Sequence, residues 1–178
     1  MKKVISIIAI ALVVLILGSG MSIWATRCKI LDYQEDINAT YTANQVAFDT
    51  KWKKFKELAQ VSKLQEQQFK DVYTDLITGR NQDKNLLMKM VQEDNPQLDT
   101  SVYTKIQEAI ITDESDFKND QKDIVSKVAT YNQYINRHPV VVSLITAKKM
   151  DPNKFVVTSN TTQNAFETGK SDEVNILE

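Results

Sequence analysis

One cysteine, one histidine, three prolines and four glycines stand among 178 residues, and each scarcity excludes something. A lone thiol, Cys28, cannot close an intramolecular disulfide, so this is not a disulfide-stapled scaffold. A lone histidine, His138, has no serine or cysteine partner recognisable in the sequence, and zinc sites ordinarily draw on several His or Cys ligands. Near the end of a helix its plain role is a cap. Excess basic charge is also lacking: 22 Lys and Arg stand against 23 Asp and Glu, which argues against nucleic acid as a partner. There is no glycine-rich loop, no low-complexity run and no clear internal repeat.

The few glycines and prolines are placed informatively. Glycines fall at 18, 20, 79 and 169 and prolines at 96, 139 and 152, leaving the blocks 21–78 and 97–138 without either. Long blocks of Lys, Gln, Glu, Leu and Ala free of breakers are what long helices need.

What the chain has in abundance is an uncharged run, Val4 to Ala25, flanked by Lys2 and Lys3 before it and Arg27 and Lys29 after it. At helical rise it spans roughly 33 Å, enough to cross a bilayer core. A cleaved leader with its apolar region at Val4–Leu17 and a cut after Gly18-Ser19-Gly20 is the competing reading. The resumption of apolar character at Met21–Ala25, with Trp24 where an interfacial aromatic belongs, favours a retained signal-anchor. A lipid-attachment site at Cys28 fails because Arg27 precedes it. At that position the thiol could bridge two anchors or be acylated; an idle thiol is the preferred reading.

The positive-inside bias across the run is slight. Beyond Ile30, 22 less the four flanking basic residues leaves 18 against 23 acidic ones, a balance of −5. That suits a translocated domain with no overall attraction to anionic lipid. The expected location is the cell (inner) membrane, single-pass, with the soluble domain on the non-cytoplasmic side.

Beyond the anchor the helix is expected to continue without a stop. Phe48, Trp52, Phe55, Leu58 or Ala59, then Phe69, Val72, Tyr73 and Leu76 recur in steps of three and four, with a kink or looser packing at Ser62–Gln67 and a stop at Gly79. A shorter helix is predicted from Asp83 to Glu93, ended by Asn95-Pro96, and Asp99, Thr100 or Ser101 caps the next. That next helix carries the cleanest pattern: Tyr103, Ile106, Ile110, Asp113, Phe117, Asp120, Ile124, Val128, Tyr131 and Ile135 form a heptad-like, coiled-coil seam ended by Pro139. Its return is expected to reach the level of Tyr41. Pro139 opens a short helix running to Met150, which with the tail covers the stem near the membrane. Phe155-Val156-Val157 suits an extended strand in an otherwise irregular tail.

Candidate chemistry is sparse. Asp113, Asp116 and Asp120 share one helical face beside Glu114, so a divalent cation is conceivable, but the loop order and glycine of an EF-hand are missing. Two of these acids on the seam suit a wet place in the bundle or pairing with lysines. Tyr131-Asn132 reads as a packed tyrosine and an asparagine bonding a neighbouring helix. Trp52 reads as a core anchor. Asn38-Ala39-Thr40 and Asn160-Thr161-Thr162 match the glycosylation sequon, a short and common pattern.

Three runs carry a family resemblance. They are Val91-x-Glu93-x-Asn95-Pro96-x-Leu98, then Ile106-Gln107-x-x-Ile110-x-x-Asp113-Glu114-x-x-Phe117, then Tyr131-Asn132-x-x-Ile135-x-x-His138-Pro139. In spacing and residue type this stretch, about 91 to 139, resembles the LemA family of membrane proteins, and Asn44 with Trp52 fits the same pattern. The chain departs from the family where SKLQEQQFKDVYTDL replaces its DLIPNLV stretch, at Ile124-Val125, where the family has an earlier tyrosine-asparagine, and at His138, where it has an aromatic. The resemblance implies a membrane-anchored helical bundle and transfers no catalytic residue.

Together these readings give an all-α chain in which an N-terminal transmembrane helix continues into an elongated antiparallel helical bundle. Its expected parts are an anchor at 1–30, a LemA-like bundle at 31–150 and a polar tail at 151–178. The expected function is that of a non-enzymatic scaffold or interaction protein. A ligand-binding or sensory ectodomain is the alternative, although such sensors ordinarily have a second membrane helix and an output domain. An enzyme working through the acidic cluster and a secreted structural protein stand behind these. No catalytic, cofactor-binding or metal residue is assigned and no cofactor is expected. The expected partners are the bilayer, through Val4–Ala25, and another protein or a second copy of the chain.

Overall fold

The computed structural model describes residues 2–80 and 83–157. All the elements among them are helical: α1 (Lys2–Leu58), α2 (Glu66–Ile77), α3 (Lys84–Asp94), α4 (Thr100–Arg137), α5 (Pro139–Ile145) and a 3-10 turn at Pro152–Lys154. The second sequon and the tail beyond Val157 lie outside the described residues. α1 contains a stretch long and apolar enough, by length and composition, to cross a membrane, and its side chains from Val4 to Leu17 are exposed.

The chain divides into two compact units, Met1–Thr40 with Ile124–Pro152, and Tyr41–Asp123 with the segment from Asn153. In the first, Ile30 and Ile37 of α1 and Ile124, Val128, Tyr131 and Ile135 of α4 are buried, at the three-four spacing that puts them on one side of each helix. Tyr33 and Tyr134 meet with ring centroids 5.4 Å apart, and Lys127 reaches both carboxylate oxygens of Asp36 at 2.7 and 2.8 Å. The last turn of α4 therefore lies beside Tyr33, and not beside Tyr41 as the sequence suggested. The expected register counted residues 59–78 as part of the first helix, whereas α1 stops at Leu58.

α5 is shorter than predicted. It opens with Pro139, whose missing N–H costs nothing in a first turn, and ends at Ile145, where Thr146 takes a left-handed conformation at φ 54°. The segment after it is fastened to α4. Asn132 donates to the Met150 carbonyl and accepts from the Met150 amide, both at 2.8 Å, and the Tyr131 hydroxyl donates to the Lys148 carbonyl at 2.7 Å.

In the second unit, Trp52 and Phe55 of α1 and Ala59 just after it pack with Phe69, Tyr73, Leu76 and Ile77 of α2, Leu87 and Val91 of α3, and Ile106 and Ile110 of α4. The helix expected to run to Gly79 is instead broken outright between Leu58 and Glu66. The break is a Schellman turn: Val61 N–H reaches the Lys56 carbonyl, Gln60 N–H reaches that of Glu57, and Gln60 sits at φ 51° where glycine is usual. Gly79, at φ 75°, closes α2 with the same pair of bonds, from Arg80 to Asp75 and from Gly79 to Leu76. Asp83 caps α3 by accepting from the amides of Asn85 and Leu86, and Asp99 caps α4 by accepting from the Ser101 amide at 2.7 Å.

Phe155-Val156-Val157 is not a strand. The Val157 N–H is taken by the side-chain oxygen of Gln121 at 2.8 Å, and with no strand among the described residues there is no sheet edge for it to join.

Candidate functional site

The second unit carries a cavity of about 380 Å³ whose walls come from α1, α2, α4 and the segment after the 3-10 turn. Along α1, Tyr41, Asn44, Gln45, Phe48 and Trp52 line it, again in steps of three and four. Lys70, Thr74 and Thr78, each four residues from the next, form the α2 side, while Phe117, Asp120 and Gln121 form the α4 side. Phe155 and Val157 complete it.

Five aromatic rings give this cavity its character. Phe48 lies edge-on to Phe117 at 5.9 Å, Tyr41 meets Phe155 at 5.6 Å nearly at right angles, and Trp52 stacks on Phe55 behind the wall at 5.8 Å. Edge and offset contacts of this kind suit the ring quadrupoles and hold the rings in place. Several of its polar groups have partners: Asn44 donates to the Asp120 carbonyl at 3.2 Å, Asp49 pairs with Lys53 at 2.7 Å, and Gln121 accepts from the Val157 amide. A mostly apolar, aromatic wall with a few fixed polar groups can enclose an apolar body and orient it.

The structure disperses the acidic cluster onto separate partners. Asp113 turns inward and accepts from the buried Tyr73 hydroxyl at 2.8 Å. Burial, and then the charge and hydrogen bond of Asp113, push the Tyr73 phenol well above its ordinary value. Asp116 pairs with Lys51 at 2.9 Å. Glu114 is gripped by Lys118 at 2.7 Å and Lys84 at 2.9 Å, which hold its carboxyl below the usual range. Asp120 lines the cavity. Among the described residues no group of three or more His, Cys, Asp or Glu is arranged to hold a metal ion.

Other residues singled out in the sequence have structural positions. The His138 ring nitrogen Nδ1 lies 3.0 Å from the Tyr134 carbonyl, a last-turn acceptor of α4, and its ring lies against that of Tyr134. Tyr131 is fully buried, and Asn132 bonds the Met150 backbone and, among the described residues, no neighbouring helix. Trp52 is buried in the core and also forms part of the cavity wall. Cys28 is a free, half-buried thiol, and Asn38 of the first sequon is exposed within α1.

Sequence reasoning missed Tyr41, Asn44, Gln45 and Gln121 as members of one wall. The α1 members were detectable by carrying the three-four spacing two further steps back from Phe48, through Asn44 or Gln45, to Tyr41. The α2 wall was not, because it depends on the break before Glu66. Comparison with protein-family models finds no match to this chain, and comparison with curated proteins and with solved structures finds no significant match.

Proposed function

We propose that this chain is a membrane-anchored, non-enzymatic scaffold of the LemA-like type, whose non-cytoplasmic domain holds a partner protein at the membrane. The observation that carries the reading is α1 itself. One uninterrupted helix, Lys2–Leu58, contains the exposed apolar run and also supplies Ile30 and Ile37 to one unit and Trp52 and Phe55 to the other. Anchor and folded domain thus share one element, as tethering requires.

Antiparallel pairing of α1 with α4 belongs to this reading. Its support is the order of contacts within each unit: Tyr33 with Tyr134, Gln34 with Tyr131 and Asp36 with Lys127 in one, Asn44 with Asp120, Phe48 with Phe117 and Lys51 with Asp116 in the other. Numbers rise along α1 as they fall along α4. The LemA-like assignment rests on the residue pattern from Val91 to Pro139.

The test is an exchange of anchors. A chimera with an unrelated single-pass helix in place of residues 1–25 should remain in the membrane fraction and keep the protein crosslinks formed from a photoreactive residue at exposed Val46. A secreted form without any anchor should lose them. Crosslinks that persist in the secreted form, or vanish in the chimera, would overturn tethering. Asp116→Asn with Asp120→Asn tests a chemical role for the acidic face without touching the Asp113 bond to Tyr73.

A second reading, a ligand-binding ectodomain, is favoured by the aromatic cavity. An apolar ligand seated there would change the emission of Trp52, and Phe117→Ala would weaken its binding. A titration with apolar aromatic compounds that leaves Trp52 emission unmoved would remove this reading.

A further inference from the structure

We infer that α5 and the residues after it form a second membrane contact, a lipid-facing patch that rests on the bilayer surface beside the anchor. The inference rests on the proposed anchoring of α1 in a membrane. α5 has the sequence PVVVSLI and buries none of its residues. Val140 and Leu144, one turn apart on the same face, are 74% and 65% exposed. A short apolar helix left uncovered in a water-soluble domain has no driving force to stay apolar; against lipid it does.

Its height at the membrane follows from the first unit alone. Leu144, Ile145 and Met150 line the same groove as Arg27, Ile30 and Leu31 of α1. These α1 residues begin two positions after the uncharged run ends at Ala25, so at helical rise they occupy roughly the first 10 Å outside the hydrocarbon. That zone is the headgroup and interfacial layer, where amphipathic helices bury an apolar face. Trp24, 69% exposed, stands at the same boundary, and Leu31 is exposed just beyond it.

Charge agrees with this placement. From Arg137 to Met150 the chain carries Arg137, Lys148 and Lys149 and no acidic residue, although the part beyond Ile30 is acidic as a whole. Arg137, Lys148, Lys149, Arg27 and Lys29 are all exposed. Basic residues at this level pair with anionic headgroups and let long side chains reach from apolar surroundings to phosphate. The hydrogen bonds from Tyr131 to Lys148 and between Asn132 and Met150 tie this segment to α4, so the patch is held in place relative to the helices of its unit.

The experiment uses the full chain with Cys28→Ser, reconstituted into phosphatidylcholine–phosphatidylglycerol vesicles. A single polarity-sensitive fluorophore is attached through Leu144→Cys, through Ile10→Cys in the apolar run, or through Ser126→Cys at an exposed position on α4. The label at 144 should emit blue-shifted light and be dimmed by lipids carrying a quencher near the headgroup, while the label at 126 is spared. Lipids carrying the quencher deep in the acyl chain should dim the label at 10. Quenching at 10 without quenching at 144 overturns the patch and leaves the anchor standing. No quenching at either site overturns both. A blue-shifted but unquenched label at 144 means that protein covers the face, a second copy if the shift fades on lowering the protein-to-lipid ratio and this same chain if it does not; either overturns the inference. Quenching at 144 should weaken in vesicles of phosphatidylcholine alone, and equal quenching there would overturn the part assigned to the basic residues.

Discussion

The Tyr73 hydroxyl donates to Asp113 Oδ2 at 2.8 Å, joining two buried residues forty positions apart in the chain. Tyr73 comes from α2 and Asp113 from the seam of α4, so the bond ties those helices together inside an aromatic shell formed by Phe48, Trp52 and Phe55. Tyr73→Phe would leave a buried carboxylate without this donor, and should destabilise the domain by about 1–3 kcal/mol in a urea melt at neutral pH.

The same pair sets an alkaline limit. The folded state holds the Tyr73 phenol above its ordinary value of 10.0, chiefly through burial. Below that value both folded and unfolded chains keep the proton and the contribution is complete. Above it the unfolded chain releases the proton while the folded one retains it, so stability falls as pH rises. Urea midpoints for the parent protein should drop as the pH is raised through its ordinary value of 10.0, and the Tyr73 share of that slope should vanish in Tyr73→Phe. An identical slope in both would remove Tyr73 as its cause.

Gln60 is a non-glycine residue in a left-handed turn, which costs roughly 1–2 kcal/mol. Gln60→Gly should relieve part of that strain and raise stability by about 0.5–1 kcal/mol, less the entropy that glycine gives the unfolded chain. Asn95→Ala should act in the opposite direction by about 1–2 kcal/mol, because its side chain donates to the carbonyls of Ala59 at 2.8 Å and Gln60 at 3.3 Å. Thermal melts of the two variants should bracket the parent.

Tyr131 and Phe117 share a sequence pattern but not an environment. Tyr131 is wholly buried, and its hydroxyl accepts from Gln34 while donating to Lys148. Phe117 is half-buried and faces the cavity. Tyr131→Ala should cost about 3–5 kcal/mol and Phe117→Ala distinctly less. Equal losses in chemical denaturation would mean that the cavity wall is packed as tightly as the core.

Asn132 holds the Met150 backbone through both ends of its side-chain amide. Asn132→Ala should release the segment after α5, read as faster hydrogen exchange at the Met150 amide with little change at Ile124 or Val128. Exchange at Met150 that stays as slow as in the parent would show that the segment is held by other contacts.

Much of this architecture is legible in the residues taken one after another. The α4 seam is readable because its burial follows from spacing: Ile106, Ile110, Asp113, Ile124, Val128, Tyr131 and Ile135 are all buried, as the three-four pattern requires. The ends of α4 are readable because Asp99 and Pro139 act through local backbone chemistry. The apolar stretch of α1 is readable from composition alone. The candidate cavity is legible only through Phe48, Trp52, Phe117 and Asp120, each identifiable as a face residue but not as a neighbour of the others.

What the sequence determined by itself, then, is whatever depends on neighbours along the chain: helical type, apolar face, cap and proline stop. The sequence marked Ser62–Gln67 as a kink or loosely packed place, but tertiary structure decided that the helix breaks outright after Leu58. A glutamine has no local reason to turn left-handed. It does so where Val61 is drawn into the core and Asn95, at the end of α3, satisfies the carbonyls that the ending helix leaves open. That one long-range clasp frees α2 from α1 and sets Lys70, Thr74 and Thr78 opposite Phe117 as the wall of the cavity. Spacing along a chain fixes which side of a helix is apolar; where no local cap or proline stops a helix, the packed partner fixes where it must end.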